Sequence, residues 1–321
     1  MKNHLKTNML PKVIVHSDWS ISPNKRWMCQ AVLDGNTYRL SAPVQVNSPD
    51  KLVKNQLYQA KDGGVILGFD FPIGFPKSYA GRAGIDKFID VLPELGSGQW
   101  RDFFKLAERS EEISIYRPFY PFRSGGTKRS QLVEGLKVES FTELLRRCEL
   151  GSEKRNDACS LFWTLGGNQV GRAAISGWRE ILIPSLRTMK TDIAIWPFDV
   201  QMDQLTEFNS AVIVETYPGD ACVQIGLGAA GRGWSKRNRE HRISKAQAIK
   251  KIASELGLDI KPIESAIDDG FGNSDVGEDQ FDALIGLLGM LSVVLGIRDD
   301  GLPEDESVTT VEGWIFGQKV N

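Results

Sequence analysis

Three short runs of apolar, mostly β-branched residues each end in an acidic residue. They are VIVHSD at 13–18, VILGFD at 65–70 and AVIVE at 211–215. Apolar runs of this length are typical of strands buried in the sheet of an α/β protein. The sequence therefore predicts a sheet core in which Asp18, Asp70 and Glu215 stand at strand ends.

The spacing of apolar runs and turn residues predicts a mixed sheet. Strands are expected over residues 12–18, 26–34, 37–43, 65–70, 192–197 and 210–215. Asp34-Gly35 is a strong hairpin signal between the second and third strands, and Ser48-Pro49 begins a helix before the fourth. The expected order of elements is β-β-β-α-β-α-β-α.

Between the fourth and fifth strands the pattern changes to turn-rich stretches and to helical periodicities, which predict helices near 84–92, 98–110, 139–149 and 169–187. We interpret residues 75–190 as a largely helical insertion within one domain spanning 1–321, because no linker-like composition marks its edges. After the last strand, Pro218 opens a helix, Ser244 to Gln247 resembles a capping box, and a long apolar helix is expected over 276–296.

The acidic residues are expected to converge. A right-handed crossover makes the first and fourth strands sheet neighbours, which brings Asp18 and Asp70 together, and Glu215 ends the next core strand. Asp279 and Asp282 are three residues apart and share one face of the late helix. Clustered carboxylates repel unless cations neutralise them, which predicts a site for two Mg²⁺ or Mn²⁺ ions.

Four motifs resemble the RNase H-like superfamily, and most closely a group of predicted RNase H-like nucleases within it. In chain order they are Asp70-Phe-Pro-Ile-Gly74, Glu215-Thr-Tyr-Pro218, Asp282-Ala-Leu284 and Glu312-Gly-Trp-Ile315. The late helix, with its D-x-x-D-A-L pattern, is also similar to that of RuvC-type Holliday junction resolvases. Those resolvases carry glutamate where this chain has Asp70, and they offer no simple counterpart of Glu215.

The resemblance implies a hydrolase that cleaves nucleic-acid phosphodiester bonds with two metal ions. Its implied catalytic residues are Asp18, Asp70, Glu215 and Asp282, with Asp279 as a further metal ligand. Two other functions remain open. A sugar-kinase or ATPase relative would use the same core, although no glycine follows Asp18 until Gly35. A non-catalytic nucleic-acid-binding module would keep the fold alone. Each acid by itself could also be a turn or helix cap.

A basic segment lies between the third and fourth acidic motifs. Residues 232–251 hold eight Lys or Arg and one acid, whereas residues 255–279 hold eight acids and one Lys. This asymmetry indicates either a phosphate-binding rim, with Trp234 stacking on a base, or a solvated surface. The candidate substrate-binding residues are Arg232, Trp234, Lys236, Arg237, Arg239 and Arg242.

Composition sets broad limits on the class of protein. A net charge of −2 excludes a polycation that coats nucleic acid along its whole surface. Four scattered cysteines without a CxxC pair indicate neither a zinc site nor a disulfide framework. No apolar run reaches the ~18 residues of a membrane span, so we expect a cytoplasmic protein. The sequence leaves the oligomeric state open.

Overall fold

The computed structural model describes residues 10–61, 63–151, 157–165, 170–202 and 210–319. Its strands are β1 (Val13–Asp18), β2 (Trp27–Asp34), β3 (Thr37–Leu40), β4 (Val44–Gln45), β5 (Val65–Phe69), β6 (Ile193–Ile195) and β7 (Ala211–Glu215). Together they form one mixed sheet. The predicted strands are therefore confirmed, with bounds that differ by one to three residues, and the short edge strand β4 is an addition.

The sheet has the spatial order β3-β2-β1-β5-β7-β6, and β4 pairs with β2. The neighbours β1, β5, β7 and β6 are parallel, whereas β2 runs antiparallel to β1 and to β3. As expected from the crossover through the first helix, β1 lies beside β5. The carboxyl ends of β1, β5 and β7 consequently meet at one edge of the sheet.

Helices cover both faces of this sheet. They are α1 (Pro49–Ala60), α2 (Lys77–Ala83), α3 (Phe88–Val91), α4 (Arg129–Gly135), α5 (Val170–Gly177), α6 (Ile183–Thr188), α7 (Pro218–Gln224), α8 (Arg239–Ser244), α9 (Ala246–Glu255), α10 (Glu264–Asp268) and α11 (Ser274–Val294). Among the described residues, none of these helices is both long and apolar enough to cross a membrane.

Alternation along the strands divides the core into two apolar clusters. Val13 and Val15 face α1 and the insertion, whereas Ile14 between them faces α11. The same alternation holds in β5, where Leu67 and Phe69 share the first cluster and Ile66 the second. Successive side chains of a strand point to opposite faces, so residues two apart lie on the same face of the sheet.

The region between β5 and β6 contains α2 to α6 and many short turns. Its aromatic side chains pack into the first cluster, with Phe75 in ring contact with Phe103, Phe162 and Trp178. The helix expected over 98–110 is absent there: the chain forms isolated 3₁₀ turns instead. The helix expected near 139–149 likewise consists of two 3₁₀ turns.

Two other helix boundaries differ from the sequence prediction. Residues around Ser244 do not form a capping box, because α8 ends there and α9 follows after Lys245 without a side-chain cap. The final helix begins at Ser274 with Asn273 at its N-cap position, two residues earlier than expected.

Helix α11 lies very close to the sheet because its residue facing His16 of β1 is a glycine, Gly286. The Cα of Gly286 sits over His16, so that an added Cβ would lie 2.2 Å from His16 Nε2. His16 is fully buried, and its Nδ1 lies 3.1 Å from the carbonyl oxygen of Ala283. Burial lowers the pKa of His16 to about 3, so its ring is neutral. This contact fixes the height of Asp282 above the sheet.

Candidate functional site

Asp18 and Asp70 lie side by side at the carboxyl edge of the sheet. Ser17 of β1 pairs with Phe69 of β5, and the two aspartates are the next residues of the two chains. Asp70 Oδ1 accepts a hydrogen bond from the backbone N–H of Trp19 at 2.7 Å, and the charge of Asp70 acts on Asp18.

Asp282 reaches the same place from α11. Its Oδ2 accepts a charge-assisted hydrogen bond from Lys236 Nζ. Its Oδ1 is buried and has no hydrogen-bond partner in the part of the chain that the structure describes. A buried carboxylate oxygen without a donor carries a large desolvation cost. The site therefore has an acceptor that protein donors leave unsatisfied.

The electrostatics show that the acids interact. Burial raises the pKa of Asp18 well above its ordinary value, and the nearby charges of Asp70, Asp282 and Asp279 raise it further. Burial raises the pKa of Asp70 to about 7, although the hydrogen bond from Trp19 opposes that rise. Burial also raises the pKa of Asp282, against the attraction of Lys236. Three carboxyl groups from three distant segments thus share one electrostatic site.

Asp279 stands at the margin of this group. It lies one helical turn before Asp282, and burial raises its pKa to about 6. Its charge acts on Asp18, but it is half-buried and also feels Lys25 and Glu278. Its position is that of an outer carboxylate rather than a member of the inner three.

Glu215 is not brought into this cluster, which corrects the expectation from the sequence. Both of its carboxylate oxygens accept hydrogen bonds from Arg146, at 2.6 and 2.7 Å, and Oε2 accepts another from the N–H of Ile73 at 2.6 Å. Arg146 is itself buried and also pairs with Glu149 at 2.9 Å. Glu215 thus belongs to a buried ion network with the insertion.

The register of the sheet explains this separation. Glu215 pairs with Phe69, whose side chain faces the insertion, whereas Asp70 is one residue further and faces α11. Neighbouring residues of a strand point to opposite faces, so Glu215 and Asp70 cannot share one side of the sheet. Ile66 and Val212 both face α11. Asp70 follows Ile66 by an even number of residues and Glu215 follows Val212 by an odd number, so the two acids point to opposite faces.

Two of the candidate substrate-binding residues are structural. Trp234 is buried and contacts Phe281 edge to face, with Lys245 over its ring, so it is not available to stack on a base. Arg242 is 1% exposed and donates to the carbonyl oxygens of Lys236, Gly270 and Gly272. Its role is to hold the loop before α8 against the start of α11.

The other basic residues lie nearer the surface. Arg232 and Arg237 are exposed, and Arg237 pairs only loosely with Glu278 at 3.5 Å. Arg239 pairs with Asp269. A surface cavity of about 420 Å³ is lined by Ser235, Arg237, Asn238, Arg239 and Asn273. Lys236, between two of these residues in the chain, points instead to Asp282.

The donors of the inner cluster are chemically suited to a hard divalent cation. Mg²⁺ and Mn²⁺ prefer carboxylate oxygens, and the unsatisfied Oδ1 of Asp282 and the clustered charge of Asp18 and Asp70 are what such an ion would neutralise. As they stand, however, the described residues include no group of three His, Cys, Asp or Glu side chains arranged to hold a metal ion. The Lys236 ammonium contacts the cluster at Asp282.

Comparison of the chain with protein-family models, with curated proteins and with solved structures found no match.

Proposed function

We propose that this protein is a metal-dependent phosphodiesterase of the RNase H-like type that hydrolyses nucleic acid. One observation carries the proposal: Asp18, Asp70 and Asp282, at the ends of β1 and β5 and on α11, meet at one edge of the sheet, where burial raises all three pKa values and the charge of Asp282 further raises those of Asp18 and Asp70. A constellation of this kind supports function because a fold gains no stability from crowding like charges together.

The cost of the arrangement supports a cation as its ligand. Desolvation and like charge both oppose ionisation of Asp18 and Asp70 and raise the pKa of each. A bound divalent cation would offset both the desolvation and the like-charge repulsion, and its binding would stabilise the folded protein. Sites that carry such strain are commonly sites of function.

The topology supports the fold assignment. Three antiparallel strands lead through α1 into β5, which lies parallel to β1, and the acids stand at the carboxyl ends of these two strands. In open α/β sheets ligands bind at the carboxyl ends of parallel strands. The long helix α11, which carries Asp282, packs on the face of the sheet toward which Ile14 of β1 and Ile66 of β5 point.

In the proposed reaction, a bond forms between a water oxygen and phosphorus, one ester P–O bond breaks, and the departing oxygen takes up a proton. Asp18 and Asp70 would hold the cation, and Asp282 would complete the negative wall of the site. When bound, the cation supplies Lewis acidity and lowers the pKa of water. The backbone N–H of Trp19 orients the Asp70 carboxylate through Oδ1.

The surface next to the cluster suits a polyanionic substrate. Arg237 and Arg239 line the 420 Å³ cavity together with the neutral donors Ser235, Asn238 and Asn273. Arginine forks bind phosphate oxygens in pairs, and each such contact makes binding more sensitive to salt. We propose that this cavity receives a phosphate that flanks the one being cleaved.

The test is an assay for nucleic-acid cleavage by the full purified chain in about 5 mM Mg²⁺ or Mn²⁺, a concentration at which weak carboxylate sites are occupied. Substrates are labelled single-stranded DNA, duplex DNA, RNA, an RNA–DNA hybrid and a four-way junction. At least one should be cleaved, and EDTA should abolish the cleavage. Asp18→Asn should lower the rate by at least about 100-fold, as expected for loss of a principal electrostatic group.

Asp34→Asn is the matched control. It removes the same charge from an exposed position at the β2–β3 turn, at the opposite end of the sheet, and should leave the rate unchanged. Lack of cleavage of every substrate with either metal would refute the proposed activity. If the protein also bound neither Mg²⁺ nor Mn²⁺, a non-catalytic binding module would be the better description.

A further inference from the structure

Lys236 supplies a positive charge inside the carboxylate cluster. Its ammonium group donates to Asp282 Oδ2, and its side chain is only 18% exposed. Its charge also acts on Asp18. A lysine is compact enough to take the place of an ion, since its charge is concentrated on a single nitrogen.

The backbone around Lys236 is held firmly, although the residue lies in a loop. The carbonyl oxygen of Lys236 accepts a hydrogen bond from the buried guanidinium of Arg242. The preceding N–H, that of Ser235, donates to His241 Nδ1 at 2.9 Å. Arg242 also binds the carbonyl oxygens of Gly270 and Gly272 just before α11. The lysine and the helix that carries Asp282 are thus fixed to one another.

The charge on Lys236 is stable at neutral pH. Burial alone would lower its pKa, but the attraction and hydrogen bond of Asp282 outweigh that effect, and the net pKa lies above the ordinary lysine value. The sequence prediction of two metal ions assumed that every acid needed a metal. One of them, Asp282, already has a permanent cation.

We infer that Lys236 takes the place of a second metal ion, so that the site binds a single divalent cation through Asp18 and Asp70. This inference rests on the proposed function and specifies its metal requirement. In phosphodiester cleavage two positive charges usually flank the phosphate. Here the ammonium of Lys236 would bind an oxygen of the phosphate from the side of Asp282.

The test measures metal stoichiometry, which needs no substrate. Free Mn²⁺ is quantified by electron paramagnetic resonance as the full-length protein is titrated. The wild-type chain should bind one Mn²⁺ at this site. Lys236→Met should bind two, because Asp282 then has no cation. Lys236→Arg, which keeps the charge, should bind one, and the double variant Lys236→Met with Asp282→Asn should return to one.

The outcomes separate this inference from the proposed activity. Two ions in the wild-type protein would overturn the role of Lys236 and leave the phosphodiesterase proposal intact, and an unchanged count of one in Lys236→Met would also overturn it. One ion without cleavage of any substrate would refute the activity but support the inference. Binding of no ion would refute both. If Lys236→Met did not fold, the wild-type count would still decide between one ion and two.

Discussion

At the scale of single residues, the informative feature is the pair Asp18 and Asp70. The two residues stand next to each other at the ends of neighbouring parallel strands, and the charge of Asp70 raises the pKa of Asp18. Like charges on neighbouring carboxyl groups oppose each other's ionisation unless a counter-ion offsets them. The pair therefore links metal binding, protonation and stability in a way that can be measured.

The first prediction concerns pH. The pKa of Asp70 rises from its ordinary value to about 7 on folding, so between these two values the folded protein binds more protons than the unfolded chain. The stabilising contribution of Asp70 is then complete at acid pH and is lost as pH rises through 7. In EDTA, we expect the free energy of unfolding by urea to fall between pH 5 and pH 8 by at least about 1 kcal/mol.

Asp70→Asn should flatten this decline, since the amide does not titrate, whereas Asp34→Asn should keep it. Saturating Mn²⁺ should also flatten the decline in the wild-type protein, because the ion replaces the proton. Equal slopes in the wild-type protein and in Asp70→Asn would contradict the assignment of the shift to this pair.

At the scale of elements, the placement of α11 decides whether Asp282 reaches the strand ends. The helix is buried on nearly all sides from Phe281 to Val294, and Gly286 allows it to approach β1 at His16. A helix of this kind tolerates little change on the face toward the sheet, because protein interiors are close-packed.

The second prediction is that Gly286→Ala destabilises the protein. Its Cβ would lie 2.2 to 2.4 Å from three atoms of the buried His16 ring, so the helix must shift. We expect a loss of about 1–3 kcal/mol in unfolding free energy, despite the better helix propensity of alanine. Mn²⁺ affinity should fall as well, because Asp282 moves with the helix.

Gly81→Ala in α2 is the matched control. An added Cβ there meets nothing within 4 Å, so the substitution should be neutral or stabilise by about 0.5–1 kcal/mol. If both variants had the same stability as the wild-type protein, the close approach of α11 to His16 would not be what positions the helix.

At the scale of the whole molecule, a buried ion network joins three parts of the chain on the face of the sheet opposite α11. Arg146 of the insertion binds Glu215 at the end of β7 and the carbonyl oxygen of Glu312 near the C-terminal segment. The side chain of Glu312 accepts hydrogen bonds from the N–H of Arg147 and from Ser307. The network therefore ties the insertion and the C-terminal segment to the sheet.

The third prediction distinguishes this role of Glu215 from metal binding. Glu215→Gln leaves Arg146 without its main partner, and breaking a buried ion pair costs roughly 3 kcal/mol. Unfolding by urea should show that loss, while the Kd for Mn²⁺ should stay within about twofold of wild type, a change of less than ~0.5 kcal/mol. Reduced Mn²⁺ binding with unchanged stability would restore Glu215 to the metal site.

Glu255→Gln provides the comparison for the same chemical change at an exposed pair. Glu255 pairs with Lys251 at 3.7 Å, and both side chains are mostly exposed. Surface pairs of this kind contribute between about 0 and 1 kcal/mol, so this variant should unfold almost as the wild-type protein does.

Sequence reasoning recovered the sheet and the pairing of Asp18 with Asp70 because both depend on local pattern and on the handedness of one crossover. It placed Glu215 wrongly because it considered which end of the strand the residue occupies and not which face. It assigned Trp234 and Arg242 to the surface because burial within a loop leaves no periodic signal. The partnership of Lys236 with Asp282 joins residues 46 positions apart, which composition alone does not specify.

The contrast between α11 and the loop that carries Lys236 has a consequence for the time scales of the site. Amides in the buried part of a central helix open mainly when the whole protein unfolds, whereas surface loops rearrange in nanoseconds to microseconds. Residues 225–238 contain Gly226, Gly228, Gly231 and Gly233, all with positive φ. Because Arg242 and His241 hold the backbone at residues 235–236, Lys236 belongs with the carboxylates to the slow, fixed part of the site, and the glycine-rich stretch 226–233 before it is the faster part.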